Sequence, residues 1–363
     1  MYAVRIHETG SSDVLRYEEI ETPTPNAGQV RVKLHAIGIN FIDTYHRTGL
    51  YKLPLPATLG REGAGVVDAV GDDVGNAGSS VPHVVDAVGD DVGNAGSSVP
   101  HVVDAVGDDV GNAGTSAPRV GERVAFVLDA PSYAEYAIVP AHRVVRVPDA
   151  VSFEDATAVL VQGLTAHYLC FSTFPLKEND WCLIHAAAGG AGQLTVQVAK
   201  IAGAKVIGTV STEEKARVAR EAGCDEVILY SQTDFVSEVK RITNNQGVPV
   251  VYDSVGKDTF EGSINCLSPR GYLVLWGNAS GATPPIDPLT LMSKGSLFLT
   301  RPTLGHYIAT PEEYAWRAAD LFHWLGVGKL RVRIDKTFTL RDAADAHRYL
   351  ESRAAMGKIL LLP

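Results

Sequence analysis

Apolar positions in this chain fall into two textures. Up to about residue 60 they alternate with polar ones: Val30, Val32 and Leu34 are spaced as on a half-buried strand. From about Gly163 the pattern changes to short apolar runs separated by stretches of helical spacing. The runs predict strands at 181–185, 205–210, 226–229, 249–253, 271–276 and 296–299, and the spacing between them predicts helices at 190–203, 212–222, 233–243 and 257–266. Strands alternating with helices make a doubly wound parallel sheet. Tyr133–Val139 and Arg143–Val147 read as further strands, and Ser152 as the N-cap of a helix through Ala156 to Leu160. The tail predicts helices near 311–326 and 342–352 and a last strand at 358–362. Between the textures, residues 40–51 (NFIDTYHRTGLY) fit either a short helix or a loop with polar groups beside apolar ones.

One stretch is repeated. VVDAVGDDVGNAGSSVPH, residues 66–83, recurs unchanged at 84–101, and a third copy at 102–119 differs only at Thr115, Ala117 and Arg119. Three 18-residue units with one short apolar run each bury too little for a solenoid. A single strand-turn unit copied in tandem explains them better. The first VVDAV is expected to continue a strand begun at Gly63-Ala64-Gly65, and Val120–Val124 to form the next. The material between is expected to project into solvent as Gly- and Asp-rich loop. Identical copies specify register poorly, so the three VVDAV runs compete for one slot. The six Asp of the two additional copies contribute −6 to a net charge of −10.

Length and composition narrow the class. The 363 residues suffice for two domains, and 45% apolar with 20% charged residues suits a soluble globular protein. The acidic balance argues against a nucleic-acid surface. The opening residues MYAVRIHETG show no signal-peptide pattern, and no apolar run is long enough to span a bilayer, so a cytoplasmic protein is expected. Cys170, Cys182, Cys224 and Cys266 lie far apart without a C-x-x-C, which predicts buried free thiols rather than a disulfide frame or zinc knuckle.

The chemistry centres on His185–Gly192, HAAAGGAG. It follows the apolar run 181–184 and opens onto a helix with Leu194, Val196, Val198 and Ile201 on its apolar face. A small-residue turn between strand and helix lets the backbone approach a pyrophosphate, and the helix N-terminus offers free N–H groups to the anion. Gly189, Gly190, Ala191 and Gly192 vary the usual G-x-G-x-x-G, and the strand-turn-helix-strand context supports a dinucleotide site. An NAD site carries an acid at the tip of the second strand. This chain has Thr209-Val210-Ser211-Thr212 there, with Lys215 a turn later. Small hydroxyls and a lysine suit a 2′-phosphate, where a charge-assisted hydrogen bond contributes about 1.5–3 kcal/mol. Glu213 and Glu214 are read as solvent-facing first-turn acids. Tyr230 fits either the adenine side of the cofactor or an ordinary interior tyrosine.

Several segments in order, HAAAGGAG, GTVSTEEKAR, VVYDSVG, GNASGA, FLTRPTL, AIGINFIDTYHRTGLY and ESRAAMGKILLLP, resemble the NADPH:quinone oxidoreductases, the zeta-crystallin-like, zinc-free branch of the medium-chain dehydrogenases/reductases. The resemblance runs nearly end to end; only the two additional repeat copies lack a counterpart. It implies an α/β protein: a Rossmann domain with a doubly wound parallel sheet at 163–302, and a GroES-like β-barrel catalytic domain built from 1–162 and 303–363. The cleft would run between them. The zinc-dependent relatives hold a metal through Cys and His; here Asn40 stands at the matching cysteine and Gly60-Arg61-Glu62 at the glycine-histidine-glutamate motif, so no zinc is expected. NADPH would supply a hydride and the protein position and polarity.

The resemblance further implies Asn40 and Tyr45 near nicotinamide and substrate, with Tyr45 stacking on or hydrogen-bonding a quinone, or, with Tyr51, simply lining the cleft wall. Thr165 would contact the cofactor; Trp276, Gly277 and Asn278 would flank the nicotinamide; Arg301 and Arg353 would meet phosphate or amide groups. A quinone's reduced form can take protons from water, so no dedicated donor is required, and His46 is not assigned that role. The expected partner is a small quinone or enone, and a homodimer is implied, with 296–300 as a candidate contact. Two rivals stand: an enoyl-thioester reductase, which would need a basic entrance that the sequence does not show, and a structural or RNA-binding protein, disfavoured by the acidic balance.

Overall fold

Six parallel strands carry the middle of the chain in a computed structural model, which describes residues 1–74, 117–128, 130–352 and 354–363. Their spatial order is Glu226–Leu229, Lys205–Val210, Trp181–His185, Val248–Asp253, Leu267–Leu275, Phe298–Thr300. In chain order that is 3-2-1-4-5-6, the doubly wound arrangement of dinucleotide-binding sheets. The winding reverses between Trp181–His185 and Val248–Asp253, so the crevice beyond their carboxyl ends is where such folds bind ligand.

Local chemistry sets the boundaries. The helix expected at 190–203 runs Gly190–Ile201 and stops short of Gly203, whose φ of +84° breaks it. Thr212 lies outside the next helix, Glu213–Ala222, as its N-cap, its hydroxyl accepting from Lys215 N–H. The helix expected from 257 starts only at Phe260, because the buried Asp253 carboxylate draws the N–H groups of Val255 and Gly256 into a turn. The strand expected at 271–276 begins earlier, at Leu267, and the one at 296–299 is Phe298–Thr300. The tail helices are Pro311–Gly326 and Ala343–Glu351.

The other body is antiparallel. Strand Gln29–Ile39, with Val30, Val32 and Leu34 buried, is its hub. It pairs with Glu62–Val70, Tyr136–Pro140 and the C-terminal strand Lys358–Leu362. The C-terminal strand therefore pairs with an early one, Ile359 facing Ile39, while Tyr2–Ile6 belongs to a separate three-stranded sheet. Helix Phe153–Tyr168, capped by Ser152, joins the two bodies: Thr157 Oγ1 donates to Ala36 O, while Gln162 lies against the Gly190 turn. The four cysteines are buried and free.

The first VVDAV completes strand Glu62–Val70 as expected. The following strand is Arg123–Val127; Val120 and Gly121 form a turn instead, with Gly121 at φ +89°. The expectation for the repeat between 75 and 116, and that for Arg353, fall outside the described residues. Among the described residues no helix is long and apolar enough to cross a membrane.

Candidate active site

The dinucleotide turn is tightly specified. A Cβ on Gly192 would stand 2.2 Å from Ala186 O, a backbone atom, so only glycine lets the helix start this close to the strand. Helix Gly190–Ile201 has no side-chain cap, which leaves its first N–H groups for an anion. Gln193 Nε2 donates to Ala188 O at 2.8 Å and Met356 O at 3.0 Å, pinning the turn to the chain's tail. Beneath it, His185 is fully buried. Its Nε2–H donates to Ser263 Oγ (3.0 Å), which in turn donates to Asp253 (2.8 Å); Nδ1 then accepts from Thr209 Oγ1 at 2.8 Å. Burial holds this imidazole below its usual pKa, so it is neutral scaffolding.

At the tip of strand Lys205–Val210, Ser211 is half-buried and its carbonyl accepts from Ser231 Oγ at 2.8 Å. Glu213 and Glu214 are exposed. Tyr230 is 53% exposed, which excludes the interior-tyrosine alternative. On the other flank, loop 276–281 is stitched to loop 253–257: Trp276 N–H bonds Asp253 O at 2.9 Å and Ser280 N–H bonds Val255 O at 2.8 Å. Gly277 is obligatory there, because a Cβ would lie 2.3 Å from Ser254 O. Trp276 Nε1 is buried without a partner, a donor the fold leaves for something else. Thr165 is 9% exposed, and its hydroxyl donates to Val161 O at 2.8 Å.

Across the crevice, helix Phe41–Thr48 resolves the choice left open for 40–51. Asn40 caps it, its N–H bonding Asp43 Oδ2 at 2.8 Å. Tyr45 and Tyr51 meet edge to face at 5.5 Å, and the Arg301 guanidinium is close enough to act on both Tyr45 and Tyr168. Burial raises the Tyr45 phenol above its usual pKa. His46 is a link rather than a proton donor. Arg61 donates to its Nε2 at 2.9 Å, so Nδ1–H must point at Tyr51 O, and burial with that cation lowers its pKa.

Two groups escaped the sequence reading. One is a buried ion pair: Lys358, 1% exposed, on Glu62, 0% exposed, with Nζ also 2.9 Å from Asn40 Oδ1 and Asn40 Nδ2 2.7 Å from Glu62 Oε1. The other is the buried row Asp43, Tyr133, His347 and Arg47 behind helix Phe41–Thr48. A lone lysine heading the apolar run KILLL was the visible signal for the first; the second joins residues too distant in sequence to show.

The residues do not fit a catalytic zinc. Among the described residues no group of three or more His, Cys, Asp or Glu is arranged to hold a metal. Glu62, beside Asn40, is already paired with the Lys358 ammonium, and Asp43, the other carboxyl there, accepts from Asn40 N–H and the Tyr133 hydroxyl.

A dinucleotide crevice facing a β-barrel helix defines a dehydrogenase/reductase of the medium-chain class. Residues 26–149 match the alcohol dehydrogenase GroES-like domain and residues 190–323 the zinc-binding dehydrogenase family. The chain is 40% identical over 356 residues to a quinone oxidoreductase of Pseudomonas aeruginosa, covering 98% of this chain and 97% of that one. It is equally 40% identical to a 2-haloacrylate reductase of a Burkholderia species, covering 99% and 98%. The structure of Escherichia coli quinone oxidoreductase complexed with NADPH superposes with a TM-score of 0.85 at 38% identity, covering both chains fully. The chain belongs to the quinone oxidoreductase branch of the medium-chain dehydrogenase/reductase family.

Proposed function

We propose that this protein is a zinc-independent, NADPH-dependent reductase of quinones and related conjugated carbonyls. The observation that carries the proposal is the order of groups along the crevice. Ser211, Lys215 and Tyr230 follow the strands at one end, the Gly189–Gly192 turn follows the strand at the switch point, and Trp276–Asn278 follow strand Leu267–Leu275 on the far side. That order supports an extended dinucleotide: 2′-phosphate on Ser211 and Lys215 with adenine beside Tyr230, pyrophosphate on the N–H groups of Gly190, Ala191 and Gly192, and nicotinamide against Trp276, Gly277 and Asn278. When bound, NADPH supplies the hydride. Thr165, Arg301 and Arg353 are assigned to the cofactor's remaining polar groups. Asn40 and Tyr45 orient the acceptor, the phenol against the ring and the amide toward its oxygen.

The division into 1–162 with 303–363 and 163–302 belongs to the same proposal, as does a cytoplasmic location. A homodimer is supported by the sheet's last strand, Phe298–Thr300, where Phe298 stacks on Tyr272 at 4.5 Å yet stays 49% exposed, and by the exposed Leu289 and Met292 on the helix that precedes it, Pro288–Ser293. Sedimentation as a monomer at micromolar concentration would refute that part.

The test is oxidation of NADPH against NADH with benzoquinone, a 2-haloacrylate and crotonyl-CoA, before and after a strong chelator. NADPH preference, quinone turnover and indifference to the chelator are expected, and Lys215→Ala should narrow the preference about tenfold or more. Faster turnover of the thioester would favour the enoyl-thioester reading. RNA retention competed by NADPH would favour the binding-protein reading. Zinc-dependent activity would sink the proposal.

A further inference from the structure

We infer that Lys358 and Glu62 are positioning residues that lock the Asn40 side-chain amide in one orientation, leaving its second Nδ2–H as a fixed donor toward the acceptor's oxygen. This rests on the reductase reading above.

Chemistry alone assigns the two ends of the amide. An ammonium has three donors and no acceptor, so the Asn40 atom 2.9 Å from Lys358 Nζ must be the carbonyl oxygen. An ionised carboxylate only accepts, so the atom 2.7 Å from Glu62 Oε1 must be the amide nitrogen. A flipped amide would set NH2 against the ammonium and oxygen against the carboxylate, replacing two charge-assisted bonds by two repulsions. Lys358 is 1% and Glu62 0% exposed, so water does not screen that difference.

The pair is itself held. Val161 N–H bonds Glu62 Oε2 at 2.9 Å from helix Phe153–Tyr168. Gly38 makes room for the carboxylate: a Cβ there would lie 2.1 Å from Glu62 Oε1. The Asn40 backbone is fixed by its bond to Asp43. Lys358 is too buried to reach a ligand, whereas Asn40 is half-buried, one turn before Tyr45 and next to Phe41, which is 39% exposed. The open side of the amide is therefore the side away from the ion pair. A donor held ready where charge develops needs no reorganisation during reaction.

The test is a double-mutant cycle on kcat with benzoquinone at saturating NADPH, with NADPH affinity read separately by fluorescence. Lys358→Met is combined with Glu62→Gln, because the lysine change alone buries an uncompensated carboxylate. Asn40→Ala should lower kcat at least about tenfold with NADPH affinity little changed. The Lys358→Met/Glu62→Gln pair should lower it by a similar factor, and adding Asn40→Ala to the pair should cost less than about threefold more. Multiplying losses, or full kcat in the folded pair, would overturn the inference. Asn40→Asp keeps the lysine contact but removes the donor, and it tests the idea even where the pair fails to fold; retained kcat would overturn it. In the free protein, the Asn40 side-chain amide protons should exchange with solvent more slowly than in the Lys358→Met/Glu62→Gln pair, as read by NMR. Equal exchange rates would also overturn it. Absence of NADPH oxidation by the wild type with every acceptor would instead refute the reductase reading and leave this NMR result standing.

Discussion

His347 Nδ1 lies 3.0 Å from Nη1 of Arg47, a contact across 300 positions of sequence. A guanidinium only donates, so Nδ1 is the acceptor and the proton of the neutral ring sits on Nε2. From there the directions propagate. Nε2–H donates to Tyr133 Oη at 3.0 Å, and Tyr133 O–H donates to Asp43 Oδ2 at 3.2 Å. At the outer end Arg47 forks onto Glu351, which is partly exposed. This row ties the C-terminal helix Ala343–Glu351 to the back of helix Phe41–Thr48, whose other face carries Tyr45.

The row requires a neutral imidazole, and burial together with the Arg47 cation pushes His347 down to about 3. Unfolded, it would titrate near 6.5. The folded-state pKa is depressed, so the unfolded chain binds the extra proton between these values. Stability from this group is then complete above pH 6.5 and is lost as pH falls toward 3, by up to about 4 kcal/mol. His347→Gln should lower stability at pH 7 by about 1–3 kcal/mol while flattening that acid limb. Urea unfolding of both proteins from pH 4 to 7 measures it; parallel curves would show that His347 is charged in the fold.

Asp43 carries the opposite sign. Desolvation dominates and raises it to about 7, with Glu62 adding to the rise while the Asn40 N–H, Lys358 and Tyr133 oppose it. Oδ1 is buried without a partner. Stability from this carboxyl is present below about pH 4 and is lost as pH rises through 7. Asp43→Asn keeps an oxygen for Asn40 and Tyr133 and never ionises. It should match the wild type near pH 4 and exceed it at pH 8 by about 2–4 kcal/mol. A less stable variant at pH 8 would mean that the charged form is the one the fold holds.

What was legible in sequence was whatever local spacing encodes. The Rossmann strands followed from apolar runs and the nucleotide turn from its small residues. Boundaries slipped where a distant group intervened: Asp253, a strand residue, delays the helix after it to Phe260. Asn40 was placed by resemblance, but what holds its amide was hidden, because Glu62 and Lys358 meet only when the C-terminal strand pairs with an early one. The Asp43–Tyr133–His347 row was hidden for the same reason.

Two glycines separate close packing from mere flexibility. A Cβ on Gly192 would strike Ala186 O, so Gly192→Ala must open the nucleotide turn. NADPH affinity should fall at least about tenfold, or about 1.4 kcal/mol, by fluorescence titration. Gly326, the last residue of helix Pro311–Gly326, has nothing within 4 Å of a Cβ and no left-handed φ. Gly326→Ala should instead leave affinity alone and stabilise by about 0.4–1 kcal/mol. Equal effects at both sites would mean that backbone entropy, not the turn's geometry, governs binding.

The repeated segment enters and leaves the sheet at fixed points. Val66 pairs with Arg123, Val67 N–H bonds Glu122 O at 2.9 Å, and Gly121 N–H returns to Val67 O at 2.9 Å. One copy of the 18-residue unit supplies residues 66–70, which complete strand Glu62–Val70, and still leaves a linker to Val120. The nucleotide turn, Asn40 and the Lys358–Glu62 pair all lie on other segments or upstream of the repeat. Deleting 84–119 should therefore preserve NADPH affinity and shift Tm by only a few degrees. It also removes six Asp and one Arg, so the net charge moves from −10 to about −5 and the isoelectric point rises. Loss of folding or of NADPH binding in that deletion would show that the extra copies are part of the structure the cofactor needs.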